Sequence, residues 1–258
     1  MVIIVLTSCA SAPKGDPEAL SEFQKLNDPI EPTNRAIFGF NQAVDKVVIK
    51  PVTGFYRAVT PAPIREGVHN FLSNIRTPII LTNDVLQGEV GRAGDTVVRF
   101  FVNSTWGVLG FRDAASDLGF KYHNEDFGQT LAVWGIGEGP FLMLPLLGPS
   151  NPRDAAGKLL DYFLDPINWW ASNSGNDTIP VSRMIATGID TRDQLWNALD
   201  DIDKNSLDPY ASFRSLYRQR RINDIRNGAE ADDPPAPTLG GDYELADPEK
   251  IDRTQNNK

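Results

Sequence analysis

Seven consecutive residues, Phe141-Leu142-Met143-Leu144-Pro145-Leu146-Leu147, are as apolar as the buried stripe of a core helix, yet Gly135, Gly137, Gly139, Pro140, Gly148 and Pro149 flank them. Glycine raises the entropic cost of ordering and proline removes a backbone donor, so this stretch cannot continue as one helix. Its peptide groups still need partners. Irregular apolar backbone is tolerated where protein packs around it as a buried connector, or at membrane depth where it lines a wet cavity. Gly135-x-Gly137-x-Gly139 has neither Rossmann spacing nor a P-loop lysine and serine, which argues against a nucleotide cradle. Three alternating glycines read either as a hinge for the apolar segment or as a tight turn that only glycine fits.

Helical periodicity surrounds this segment. Asp28-Pro29-Ile30-Glu31-Pro32 reads as an extended or turn entry, because each proline disfavours helix in the residue before it. From a cap at Thr33, the residues Ala36, Ile37, Phe40, Val44, Val47 and Val48 recur at three- and four-residue steps, which predicts an amphipathic helix ending before Pro51. The same reasoning predicts helices at Pro63 to Asn74, Pro78 to Leu86, Val90 to Ser104, Phe127 to Trp134, Pro152 to Phe163, Val181 to Asp203 and Pro209 to Arg226. Breaks are expected at Arg76-Thr77-Pro78 and Gln87-Gly88. Alternating strand patterns are scarce, and the fold class is mainly α. Pro78 to Leu81 and Val97 to Val102 lack a clear polar face, so each is either buried in the core or partly in lipid. Burial in the core is the commoner outcome for such segments; Trp106 after the second, with Trp169 and Trp170 further on, offers a membrane interface as the alternative.

Charge and side-chain chemistry exclude several functions. Net charge is −9, and residues 229–258 hold eight acidic against three basic residues, so most of the excess lies at the C-terminal end. A mildly acidic body does not suit a nucleic-acid partner, which needs a concentrated basic face. One cysteine and two histidines make a poor zinc set, and no metal or cofactor site is read. Gly-x-Ser-x-Gly, the usual lipase elbow, is absent. His123 beside Glu125 and Asp126 reads as a turn, His69 as helix surface, and Arg218, Arg220 and Arg221 as a solvated face in the first place, or a contact to phosphates or to a porin.

At the N-terminal end, Leu6-Thr7-Ser8-Cys9 has the form of a bacterial lipobox, in which small residues precede an acylated cysteine. No stretch approaches the roughly 18 to 20 consecutive apolar residues of a spanning helix. Anchoring therefore falls to lipid on Cys9. The expected organisation is a truncated signal peptide over 1–8, a lipidated tether over 9–27 with a short helix at Glu18 to Leu26, a helical body over 28–227, and a disordered acidic tail over 228–258. That tail includes Asp232-Asp233-Pro234-Pro235-Ala236-Pro237, too charged and proline-rich to bury a face.

Several separated blocks occur in one order: Asp28-Pro29-x-Glu31-x-x-Asn34-Arg35-x-x-Phe38-x-Phe40-Asn41, then Gly139-Pro140 through Leu144-Pro145, Gly148-Pro149 and Arg153-Asp154, then Asp208-Pro209-Tyr210 through Arg214, Tyr217 and Arg220. Together with the lipobox they resemble the MlaA (VacJ) lipoproteins over about residues 28 to 227. The resemblance implies a ring of helices in the inner leaflet of the outer membrane, with an amphipathic channel through it. It also implies a non-enzymatic role: phospholipids strayed into the outer leaflet pass through the channel to a soluble periplasmic carrier, and trimeric porins are partners. Lipid-path candidates are Asn34, Arg35, Phe38, Phe40, Asn41, Phe141, Leu142 and Leu144, with Asn34, Arg35 and Asn41 expected to face a wet interior. Two other classes stay open at this stage, a phospholipase and a non-transporting envelope scaffold.

Overall fold

Side-chain capping fixes where five of the described helices begin. Asp113, Asp126, Asn151, Asp165 and Asp208 each accept a backbone N–H of the first turn that follows, and three of them stand directly before a proline. Such a side chain satisfies an orphan donor, while proline at the first helical position has no donor to lose. The computed structural model describes residues 27–228; Cys9, the expected short helix at Glu18 to Leu26 and the acidic tail lie outside the described residues.

Helix α1 (Glu31–Val44) starts earlier than the periodicity predicts, with Ile30 at the cap position and Pro32 in the first turn, so Thr33 lies inside the helix. It also does not end ahead of Pro51. A π turn (Asp45–Ile49) carries the chain into α2 (Lys50–Val59), and Pro51 falls in the first turn of α2. Widening the hydrogen-bond register lets the chain pass a residue that has no N–H. The predicted break at Pro78 is likewise absent, because α3 (Ala62–Gln87) is one helix of 26 residues with Pro78 inside. An interior proline costs about 3 kcal/mol. The packing of α3 along α4 (Val90–Thr105) outweighs that cost. Thr82 and Asn83 reinforce the turn after the proline by donating to the carbonyls of Pro78 and Ile79. Gly88, in the left-handed region, closes α3 as expected.

Beyond α4 come α5 (Ala114–Asp117) and α6 (Phe127–Val133), then a hairpin of β1 (Leu142–Leu144) and β2 (Gly148–Ser150). α7 (Pro152–Leu164), α8 (Pro166–Asn173), α9 (Thr178–Gln194), α10 (Trp196–Asn205) and α11 (Pro209–Ile225) follow. The periodicity does not foresee α5 and α8. The single helix expected over Val181 to Asp203 is two, divided at Leu195. No proline or glycine marks that division. It lies where Trp196 is drawn under the cations Lys50, Arg57 and Arg192, at 5.7, 4.9 and 5.0 Å from its ring centre. The fold is mainly α, and among the described residues no helix is long and apolar enough to cross a membrane.

Polarity is inverted relative to an ordinary soluble domain. Among the described residues the buried side chains comprise ten hydrophobic and twenty-four polar or charged ones, whereas thirty-six large hydrophobics are exposed. The Val97 to Val102 segment shows how. Its one charge, Arg99, is 7 % exposed, while Phe101 is 62 % exposed and Trp106, just beyond, is 72 %. Pro78 to Leu81 does the opposite, burying Ile79 and Ile80. Exposed apolar surface on this scale points to faces that meet lipid or protein.

α6 and α7 meet backbone to backbone. A β-carbon on Gly157 would stand 2.3 Å from Gly128 N, and one on Gly128 would stand 2.8 Å from Asp154 Oδ1. Gly157→Ala is therefore expected to lower stability by about 1–3 kcal/mol through overpacking. Gly94→Ala, on α4 with no atom within 4 Å of the added carbon, should be neutral or stabilising by up to about 1 kcal/mol. Urea unfolding of the two variants checks the contrast.

Candidate functional site

The apolar glycine- and proline-bounded segment is the β-hairpin, and α1 supplies the partners that its backbone requires. Asn34 Nδ2 donates to Phe141 O (3.0 Å) and Asp28 Oδ1 (2.8 Å), and Asn34 Oδ1 accepts from Met143 N (2.9 Å). Two turns on, Asn41 Nδ2 donates to Leu144 O (3.0 Å) and Asn41 Oδ1 accepts from Leu146 N (2.8 Å). Seven residues of helix rise about 10.5 Å. Three residues of strand, the offset between the two clamps, rise about 10 Å. The two periods match, so a helix face reads out a strand edge through two asparagines. Asn27 adds a third tie, with its amide donating to Gly139 O (2.7 Å) and its carbonyl accepting from Phe141 N (2.7 Å).

Below the hairpin lies the hydrophobic cluster of Phe38, Phe141, Met143 and Tyr210, packed against Phe213 and Tyr217. An ionic seat closes it. Asp28 Oδ2 accepts from Tyr210 OH and from Arg214 Nη1 (2.7 Å). Arg35 pairs with Glu31 (2.7 Å) and Asp208 (2.6 Å), with its guanidinium 4.4 Å from the centre of the Tyr210 ring. On the β2 side, Asp154 takes hydrogen bonds from Tyr217 OH, Arg153 Nε (3.0 Å) and Arg221 Nη2 (2.9 Å), and Arg221 also binds Asp126 at 2.6 Å. Burial would push the Tyr217 hydroxyl up, and the acceptor Asp154 pushes it further, so it stays protonated as a donor.

The sequence candidates thus take different places. Asn34, Phe38 and Phe141 are buried, and Asn34, 1 % exposed with all its amide groups engaged, does not face water. Asn41 is half-buried against the hairpin turn, Arg35 lies at the rim of the seat, Leu142 and Leu144 are half-buried, and Phe40 is exposed. The turn itself carries Leu146, at φ +63, and Leu147, both exposed. Gly135 and Gly139 have φ of +88 and +71, whereas Gly137 lies outside the left-handed region with open space where a β-carbon would go. Arg221 is buried in ion pairs, Arg218 pairs with Glu138 (2.8 Å), and Arg220 remains on the surface.

Sequence reasoning misses a second region along α3, where Asn70, Ser73, Asn74 and Thr77 form a polar stripe at helical spacing. With Arg99 and Asp113 they border a polar cavity of about 90 Å³, which adjoins a more open one of about 340 Å³ through the shared Asn70 and Asp113. Arg99 is fixed by both oxygens of Asp113 (2.9 Å each) and by Ser116 Oγ (3.0 Å). Burial tends to raise the Asp113 carboxyl, but hydrogen bonds from Ser116, Arg99 and Asn103 outweigh it and lower the pKa. The stripe was legible as i, i+3, i+4, i+7, but its sign is the reverse of the apolar stripe that periodicity analysis seeks. His69 leans on Asp190 (2.9 Å). His123 presents one nitrogen, Nε2, to both Asp84 (3.1 Å) and Thr96 (3.2 Å). Asp190 therefore holds His69 through Nδ1, whereas His123 shares its Nε2 between an acid and a hydroxyl.

Removing Asn34 should loosen the hairpin. Asn34→Ala leaves Met143 N–H and Phe141 C=O buried without partners, at about 1–3 kcal/mol per group. Chemical unfolding should show that loss, and limited proteolysis should cut the chain between 139 and 150 faster.

Acidity acts on this interior in two directions. Asp126 is desolvated, but Arg221 overrides burial and holds its pKa at about 2. It contributes stability above the unfolded carboxylate range near 4, and that contribution is lost as pH falls toward 2. Burial lifts Asp161 to about 6 despite hydrogen bonds from Asn83 and Phe127 N, so it destabilises above pH 6 and is relieved on acidification toward 4. His69, raised by Asp190, adds stability below its unfolded pKa that is lost as pH rises. The melting temperature should therefore rise from pH 8 to about 5 and fall below about 4. Asp161→Asn should flatten the neutral-side slope by at most about 3 kcal/mol.

Comparison with known proteins gives a consistent answer. The profile of the family described as MlaA lipoprotein matches residues 26–224. The chain is 33% identical over 232 residues to the Escherichia coli K12 intermembrane phospholipid transport system lipoprotein MlaA, covering 88% of this chain and 86% of that protein. The Haemophilus influenzae protein of the same name is 28% identical over 230 residues, covering 86% and 87%. A solved structure from work on the structural basis for maintenance of bacterial outer membrane lipid asymmetry superposes with a TM-score of 0.66 at 32% identity, covering 77% of this chain and 98% of that one.

Proposed function

This chain belongs to the MlaA lipoprotein family, and on that premise we propose that it is a passive conduit carrying misplaced phospholipids out of the outer leaflet of the outer membrane. It is an envelope phospholipid-transport lipoprotein concerned with outer-membrane lipid asymmetry. Within that role, acylated Cys9 anchors it at the periplasmic face of the outer membrane, a trimeric porin stands beside it, and a soluble periplasmic carrier receives the lipid. No chemistry is performed on the substrate. The inverted polarity carries this reading: a phospholipid has an apolar and a polar part, and the body offers apolar outer faces beside a polar interior. Helices too short or too polar to span fit a body that lies at one leaflet. The sequence carries no Gly-x-Ser-x-Gly lipase elbow, which supports transport over hydrolysis.

The hairpin is the moving part in this proposal. Phe40, Leu142 and Leu144, with the exposed turn, border the lipid path, while Asn34, Arg35, Phe38, Asn41 and Phe141 act on it by holding the hairpin to α1. Gly135 and Gly139 occupy left-handed turn positions, where alanine is strained. Gly137 is the position where the hinge can be tested without strain. Purified acylated protein, incubated with labelled phospholipid, porin and carrier, should pass lipid to the carrier unaltered. Cleaved lipid would identify an enzyme instead, and neither cleavage nor transfer would leave a scaffold. Gly137→Ala should fold at normal or slightly raised stability, by up to about 1 kcal/mol, yet transfer lipid several-fold more slowly. Wild-type transfer by that variant would remove the hinge.

A further inference from the structure

Most charges in the interior are closed into pairs. Arg221 is shared between Asp126 and Asp154, and Asp154 also holds Arg153. Asp161 already accepts hydrogen bonds from Asn83 Nδ2 (3.1 Å) and from Phe127 N (3.2 and 3.1 Å). Two cations beside this network have no hydrogen-bonded or ion-paired partner among the described residues. One is Arg76 on α3, whose Nε is buried without any acceptor. It shares a helix face with Asn83, two turns away, and its charge acts on Asp126, Lys158 and Asp161. The other is Lys158 on α7, between Asp154 and Asp161 on one helix face, while Leu159, Leu160 and Phe163 point outward to the exposed apolar side.

Lys158 combines two properties that are separate on an ordinary surface. Its side chain is open to solvent, yet burial by the surrounding protein is the leading influence on its ammonium and lowers its pKa. Lys158 is thus reachable from solvent beside the buried ion-pair network. Arg76, Lys158, Arg153 and Arg221 stand against Asp126, Asp154 and Asp161, which leaves one positive charge in excess. Such an excess is costly unless an anion visits it. Guanidinium engages phosphate oxygens through a planar fork and ammonium acts as a mobile point charge, a complementary pair for one phosphodiester.

We propose that Arg76 and Lys158 form a binding station for the phosphodiester of a phospholipid in transit, and that the station favours anionic over zwitterionic headgroups. An ethanolamine headgroup brings its own ammonium to the same cations, whereas a glycerol headgroup brings none. The proposal rests on the transport reading and adds the point at which the headgroup pauses.

The test is equilibrium binding of dihexanoyl phosphatidylglycerol, dihexanoyl phosphatidylethanolamine and inorganic phosphate to the purified protein, followed by calorimetry and phosphorus NMR. Wild type should bind the glycerol lipid more tightly than the ethanolamine lipid. Arg76→Gln and Lys158→Gln should each weaken the glycerol lipid by about three- to tenfold and narrow the preference, with the melting temperature unchanged or raised because neither cation has a partner to lose. Arg220→Gln, at an exposed pair with Asp224 (3.7 Å), should bind as wild type. Unchanged affinity and preference in both neutral variants would overturn the station and leave transport standing, since the carrier-transfer assay reads transport separately. Failure of wild type to bind either lipid would overturn both readings, and binding of inorganic phosphate alone would overturn the lipid assignment. Should a neutral variant fail to fold, Arg76→Lys and Lys158→Arg decide, because both keep the charge and should keep the preference; its loss in them would overturn the proposal.

Discussion

A charge taken out of water is tolerated only when it is paired and hydrogen-bonded, and this fold takes charges out of water throughout. Asp28, Asp154, Asp193, Arg192, Arg214 and Arg221 are all buried, each within an ion pair or a shared cluster. Closing these pairs forces elements far apart in the chain to meet: Asp28 with α11, Asp126 with Arg221, Asp45 with Arg192. The hydrophobic effect, which organises most domains, is here turned partly outward. The small cluster around Phe38 and Tyr210 supports the hairpin, while ion pairs and amide ladders position the helices around it.

The hairpin shows how an apolar segment with no continuous secondary structure is made safe. Its strands are three residues each and could not stand alone in water. Two asparagines spaced by two helical turns supply the missing strand edge, and Asn27 fixes the entry. A clamp made of side chains is easier to open than a third strand, because few bonds must break and each can be replaced by water.

For a phospholipid-transport protein the inversion is functional geometry. Exposed Phe101, Trp106, Trp169 and Trp170 suit the apolar and interfacial layers of a membrane. The polar stripe of α3 borders cavities that the apolar outer faces do not share. Neither part needs a spanning helix, and among the described residues none is long and apolar enough to be one.

Much of this was legible in the chain. Helix starts at Asn151 and Asp208 are local events, decided by one side chain and the proline after it, and the mainly α class follows from short-range periodicity. The blocks from Asp28 to Asn41 and from Asp208 to Tyr217 were visible as motifs carrying a family resemblance, because their residues and order are properties of the sequence alone. What tertiary structure decided is why they occur together, since Asp28, Asn34, Tyr210 and Arg214 form one network only when α11 lies against α1. The direction of each amphipathic face was decided there too. Periodicity reports that a helix has two faces but not which one meets water, and Asn34, expected in a wet interior, is sealed under the hairpin. Continuity through Pro78 and the division at Leu195 have the same origin: packing along α4 overrides a local breaker in one case, and cations gathered over Trp196 mark an end without one in the other. Local rules fix costs of a few kcal/mol at most, and contacts between distant elements are large enough to reverse them.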